Sequence, residues 1–181
     1  IYPKWLTITT VRDASNQPTH YVAAFTDITE RKAADERIHH LAFYDPLTGL
    51  PNRRLLMDRA EHALASSSRT REYGALIFID LDNFKTLNDT QGHAVGDQLL
   101  IEVGKRLGTN VREVDTVSRL GGDEFVLLLE DLGHEEESAA ALAESIADKI
   151  RAHLGQPFQL EGLSQECHTT SSIGLTLFHD Q

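Results

Sequence analysis

Apolar residues fall along this chain in blocks whose spacing switches between two and nearly four, and the switches mark its elements. From Trp5 to Val11 apolar and β-branched residues alternate, Asp13 to Pro18 is turn-forming, and His20 to Phe25 resumes the alternation, which predicts a β-hairpin. Two strands alone are marginal in water, so this hairpin reads as the end of a larger sheet. Asp27 followed by Glu30 is a capping-box-like start. Ala34, Ile38 and Leu41 then lie at helical spacing and predict a connecting helix over Thr29 to Phe43. Asn52 suits the cap of a second helix, with Leu55, Leu56, Ala60, Ala63 and Leu64 on one side and Ser66-Ser67-Ser68 at its end. Tyr73 to Ile79 is a nearly unbroken apolar run, suited to a strand buried on both faces. Asn83 to Gly92 reads as a polar loop, and Gly96 to Val111 as a helix with Leu99, Leu100, Val103 and Leu107 inward. Thr116 to Leu120 and Phe125 to Leu129 are the arms of a second hairpin, turned by Gly121-Gly122. Glu135 to Leu154 predicts a helix with Leu142, Ile146 and Ile150 as its core stripe, and Phe158 to Leu160 and Thr169 to Phe178 read as strands. This order predicts an α+β fold, or α/β sandwich, with a central mixed β-sheet flanked by helices.

The chemistry collects at two acidic corners. Asp80 and Asp82 close the apolar run and emerge at the carboxyl edge of the sheet, where ligands bind in such folds. Asp123 and Glu124 leave the Gly-Gly turn. Crowded carboxylates are costly unless a cation neutralises them, so if the corners meet, Mg²⁺ or Mn²⁺ with oxygen ligands is the natural occupant. A metal so placed calls for an anionic substrate.

The run Gly121-Gly122-Asp123-Glu124-Phe125 closely resembles the signature of the GGDEF diguanylate cyclases. Phe78-Ile79-Asp80-Leu81-Asp82-Asn83-Phe84-Lys85, Asn88-Asp89, Gly92-His93 and Gly96-Asp97 precede it in the family's order, and Asp45-Pro46-Leu47-Thr48-Gly49-Leu50-Pro51-Asn52-Arg53 matches the family's opening motif. The resemblance implies a fold similar to nucleotidyl cyclase and polymerase palm domains. It also implies a homodimer that condenses two GTP into cyclic di-GMP. Asp80, Asp123 and the Leu81 carbonyl are then the metal ligands, and Glu124, with Asp123, the catalytic acid pair. Glu124 either helps deprotonate the 3′-hydroxyl or holds a second metal. Asn83, Phe84 and Lys85 resemble the family's phosphate cradle, with Gly122 at the substrate. Asn88 and Asp97 match the residues that read guanine, whose N1–H and N2–H₂ donors a carboxylate can accept and adenine lacks. Arg112-Glu113-Val114-Asp115 has the form of the family's inhibitory product site, five residues ahead of the Gly-Gly pair. Read without the family, Arg112 and Asp115 are a surface ion pair.

The first 28 or so residues resemble the C-terminal end of a PAS sensor domain, which divides the chain into 1–28, a signalling helix over 29–44 and a GGDEF domain over 45–181. The family's final helix, with a lysine and arginine for the triphosphate, is not reached by Gln181, so the domain is expected to be truncated, and a following EAL phosphodiesterase domain is left open. A catalytically silent module that binds GTP or cyclic di-GMP and governs a neighbour is the competing reading, and a dimerising relay through the Thr29–Phe43 helix a third.

Composition narrows the partners. A formal net charge of −11 argues against wrapping nucleic acid, whereas a triphosphate needs only a local cationic or metal-bearing pocket. Cys167 is the one cysteine, so neither an intrachain disulfide nor a cysteine zinc cluster can form, and a reducing cytoplasm is the compartment expected. No apolar run is long enough to span a bilayer, so no direct membrane contact is expected of this segment, although the full-length protein could carry an anchor. The adjacent His39 and His40 diverge by about 100° on a helix and read as ordinary surface residues.

Overall fold

The computed structural model describes residues 4–161 and 166–179. The chain divides into two compact units, Ile1–Ala42 and Phe43–Gln181.

In the first unit β1 (Lys4–Arg12) and β2 (Pro18–Asp27) pair antiparallel, from Lys4 opposite Asp27 to Val11 opposite His20. Asp13 builds the turn by accepting the backbone N–H groups of Ser15 and Gln17, and Asn16 takes the left-handed conformation that its short polar side chain tolerates. Both faces of the hairpin are exposed, Trp5, Tyr21 and Phe25 included. Helix α1 (Thr29–Phe43) follows, and Asp27 caps it by accepting from the Thr29 hydroxyl and N–H at 2.6 and 2.9 Å. Those bonds, the hydroxyl's first, hold the Asp27 carboxyl below its usual range.

The second unit runs α2 (Arg53–Thr70), β3 (Gly74–Leu81), α3 (Phe84–Gln91), α4 (His93–Gly108), β4 (Thr116–Gly121), β5 (Glu124–Leu129), α5 (Glu136–Leu154), β6 (Ser171–Phe178). Its sheet has the order β4-β5-β3-β6, and every neighbouring pair is antiparallel. The two helical crossovers each skip a strand. β3 and β4 therefore run the same way with β5 between them, and β5 and β6 the same way with β3 between, so the mixed pairing expected resolves into interleaved antiparallel neighbours among the described residues. One face of the sheet packs Ile77, Ile79, Phe125 and Leu127 against α4 and α5 through Leu99, Val103, Leu107 and Ile150. The other packs Val126 and Leu128 against Leu56 and Ala63 of α2.

Several sequence expectations shift. Ser66-Ser67-Ser68 does not end α2, because Ser67 is buried and donates its hydroxyl to the Glu72 carbonyl, and the helix stops only at Arg71 in the left-handed region. The polar loop expected over Asn83 to Gly92 is largely helix α3. Phe84 and Leu87, one turn apart, pack on the core there and outweigh the weak propensities of the residues around them. Helix α4 starts at His93 rather than Gly96 and ends at Gly108 rather than Val111. The stripe of α5 is rotated: Ala139, Ala143, Ile150 and Leu154 are buried while Leu142 is exposed, since small alanines let the helix approach its neighbours closely. Phe158 to Leu160 contributes only an isolated bridge, Phe158 to Cys167. The strand expected to be buried on both faces leaves Phe78 and Asp80 exposed.

Candidate active site

Alternation along two strands decides where the acids go. Ile79 and Leu81 of β3 and Phe125 of β5 are at most 2% exposed, and each such side chain stabilises the core by about 1.5–3 kcal/mol. With those residues inward, the period of two turns Asp80 and Glu124 to the opposite face. The register then sets Asp80 directly across from Glu124. Gly121 and Gly122, at φ 138° and 55°, make the turn that delivers Asp123 beside them. The two acidic corners therefore meet.

Partial burial, and after it the negative charges of Asp123, Glu124 and Asp82, push the Asp80 carboxyl above its usual range. Among the described residues no side-chain hydrogen bond or ion pair reaches Asp80, Asp123 or Glu124. Asp80 and Glu124 line a cavity of about 540 Å³ whose other walls include Phe78, Leu120, Gly174 and Arg53, the first residue of α2. Asp82, two residues from Asp80, differs. It accepts the hydroxyls of Thr170 and Ser172, which hold its carboxyl below the usual range, so it ties the start of β6 to the end of β3. The donors fit a hard divalent cation, being oxygen-only and mutually repelling. Among the described residues no cluster of three or more His, Cys, Asp or Glu is close enough to hold an ion alone. That suits Mg²⁺, which takes one or two carboxylates and completes its shell with water and substrate phosphates. Leu81, whose carbonyl was expected to assist, is buried opposite Ser171.

The remaining expected residues fall in two groups. Asn83, in the left-handed region at φ 59°, opens α3, so Phe84 and Lys85 lie in the first turn, where backbone N–H groups lack helical acceptors. The Asn88 carboxamide oxygen is buried without a hydrogen-bond partner, and Asp97 is exposed on α4. Arg112 and Asp115 close on each other. The guanidinium donates to both carboxylate oxygens at 3.1 and 3.3 Å and also to the Glu130 carbonyl, the Arg112 N–H adds a bond of 2.8 Å, and Asp115 is buried.

Arg119, absent from the residues expected at the site, belongs to it. Its Nε and Nη2 donate to the Gly122 carbonyl and its Nη1 to Asp45 Oδ1 at 2.8 Å, so one side chain holds the signature turn to the loop before α2. Asp45 also accepts the Thr48 N–H and hydroxyl. Burial works against ionisation of Asp45, but the Thr48 and Arg119 bonds outweigh it and its carboxyl lies below the usual range. An arginine inside an otherwise strand-like arm was the signal available. Gly122, expected at the substrate, has its carbonyl taken by this contact.

Residues 42–181 match the family described as diguanylate cyclase, GGDEF domain. The chain belongs to the GGDEF family. It is 45% identical over 150 residues to the bifunctional diguanylate cyclase/cyclic di-GMP phosphodiesterase MucR of Pseudomonas aeruginosa, a match that takes in 83% of this chain and 21% of MucR. The crystal structure of the GGDEF domain of TpbB (YfiN) from the same organism superposes with a TM-score of 0.67 at 40% identity, covering 72% of this chain and 78% of that one. The coiled coil and GGDEF domain of DgcB from Caulobacter crescentus, solved in complex with c-di-GMP, gives a TM-score of 0.71 at 25% identity, covering 83% and 77%. The chain spans about a fifth to a third of the length of the first curated relatives it matches. Its GGDEF domain thus has the family's α+β, nucleotidyl cyclase-like architecture, with the signature on the β4–β5 hairpin.

Proposed function

We propose that this chain is the GGDEF part of a diguanylate cyclase that condenses two GTP into cyclic di-GMP and releases two pyrophosphates. The observation that carries the reading is the pairing of Asp80 with Glu124, with Asp123 alongside, where among the described residues no ion pair reaches any of the three. Each subunit of a homodimer presents one GTP. The 3′-oxygen of one attacks the α-phosphorus of the other, the bond to the β-phosphate oxygen breaks, and pyrophosphate leaves. The proton of the attacking hydroxyl passes to Glu124. Asp80, Asp123 and the Leu81 carbonyl would hold a divalent cation, Mg²⁺ or Mn²⁺, which would supply charge neutralisation for the phosphoryl transfer. The N–H groups of Asn83, Phe84 and Lys85 hold the β- and γ-phosphates, Gly122 lets the backbone come close, and Asn88 with Asp97 selects guanine over adenine.

Cyclic di-GMP inhibits through Arg112 and Asp115, and their mutual ion pair must open for the guanidinium to take a guanine edge. Residues 1–28 are the end of a PAS sensor, 29–44 the signalling helix and 45–181 the catalytic domain, working in the cytoplasm where GTP is supplied. No helix among the described residues is long and apolar enough to cross a membrane. The competing reading is a silent module that binds GTP or cyclic di-GMP and regulates a neighbouring domain. Purified whole protein given GTP and Mg²⁺ distinguishes them. Cyclic di-GMP resolved by chromatography, and lost in Asp123→Ala, supports the cyclase. Tight nucleotide binding without turnover at any Mg²⁺ or Mn²⁺ concentration replaces it with the module.

A further inference from the structure

Gly96 is buried at the close of the first turn of α4, and the space its side chain would fill is occupied. A Cβ built there meets the Asn88 carboxamide oxygen at 1.9 Å, Asn88 Cγ at 2.9 Å and Phe84 Cζ at 3.2 Å. That same oxygen is buried and has no hydrogen-bond partner. Glycine does not serve conformational freedom here, since Gly96 lies in regular helix without a positive φ. An alanine at this position would gain about 1 kcal/mol of helix propensity. Two costs thus sit on one contact: a glycine within a helix, and a buried carboxamide oxygen left unsatisfied. Both make sense if the contact holds the carboxamide in one orientation for a ligand that packing alone would not demand.

We propose that Gly96 is a positioning residue for nucleobase selection: its missing side chain is the slot that fixes the Asn88 carboxamide against α4. The inference rests on the reading of Asn88 as a guanine-reading residue given above. Gly96 touches no substrate and acts only through Asn88. The clash that Gly96→Ala introduces falls chiefly on the carboxamide end of a side chain that can rotate away, so the helix keeps its place and Asn88 loses its own. Phe84 Cζ, at 3.2 Å, needs to give by only a few tenths of an ångström.

The test compares GTP with inosine triphosphate, which lacks the exocyclic amine of guanine, in the whole protein with Mg²⁺. The measurements are kcat/KM for each nucleotide and the thermal midpoint, in the wild type, Gly96→Ala, Asn88→Ala and the double variant. Gly96→Ala is expected to keep or raise the thermal midpoint while lowering the GTP preference about tenfold, the size of one lost hydrogen bond. In the Asn88→Ala background the same change should add less than about twofold, because the atoms it displaces are gone. An undiminished preference in Gly96→Ala, where Asn88→Ala lowers it, overturns the positioning role. So does a full-sized effect of Gly96→Ala when Asn88 is already alanine. If Asn88→Ala itself leaves the preference intact, the base-reading assignment fails first and this inference goes with it. Titration of GTP and of inosine triphosphate into the four proteins without turnover reads the same ratios from binding, so a loss of catalysis alone cannot imitate the result.

Discussion

Two groups of carboxylates in the GGDEF domain are treated in opposite ways. Asp45, Asp82 and Asp115 are each met by donors: Arg119 and Thr48 for the first, Thr170 and Ser172 for the second, Arg112 for the third. Asp80, Asp123 and Glu124 are met by none among the described residues, although they stand together where β3 ends and β5 begins. The contrast is sharpest between Asp80 and Asp82, which share a strand end and shift in opposite directions, one above and one below the ordinary carboxylate range. An acid that serves the fold is neutralised by the fold. An acid left to repel its neighbours needs a partner brought from outside, and this separates the proposed chemistry from the scaffold without reference to any motif.

The comparison can be broken most decisively at the unpaired acids. Glu124→Gln is expected to cut cyclic di-GMP formation by about 10²–10⁴-fold with no loss of thermal stability, read by chromatography and by melting. A variant that melts early instead would move Glu124 into the structural group. Among the paired acids Asp45→Ala should have the largest effect on the fold, about 2–4 kcal/mol in denaturant unfolding, because Arg119 is left nearly buried with one partner fewer. Asp115→Ala should cost about 1–3 kcal/mol in the same measurement, and Arg112→Ala should in addition relieve inhibition by added cyclic di-GMP. The smallest effect sharpens the contrast through pH. Asp80 has a raised carboxyl pKa, so its penalty on the folded state is absent below the ordinary aspartate range and sets in as pH rises through the raised value. Metal-free Asp80→Asn should therefore melt about 1–2 °C above the wild type at neutral pH, with the gain disappearing at low pH. Mg²⁺ or Mn²⁺ should stabilise the wild type and not this variant.

What the sequence made legible follows from how local each signal was. The end of the β3 apolar run and the Gly-Gly turn mark where Asp80, Asp123 and Glu124 emerge, while the alternation of β3 that turns Asp80 outward shows only in the structure, and all four expected inward residues of α4 are buried. Helix α3 is not legible in the sequence because only Phe84 and Leu87 give it an apolar face, and their reward is tertiary. The stripe on α5 slipped for a related reason, since alanine carries little hydrophobic signal yet permits the closest approach. The contacts of Arg119 and Gly96 are not legible for a different reason: each matters through a residue distant in sequence or through an atom it lacks.

The alternation at Glu124 and Phe125 has a consequence for chain length. One carries charge outward and the other is wholly enclosed, so their places depend on parity. Inserting a single residue within Glu124–Leu129 would exchange the two sets and drive the carboxylate toward the apolar layer, while a pair of residues would preserve the sense of every side chain. Length variation in this hairpin should therefore be confined to its tip or come in even steps, a constraint stricter than any on the identity of a single residue.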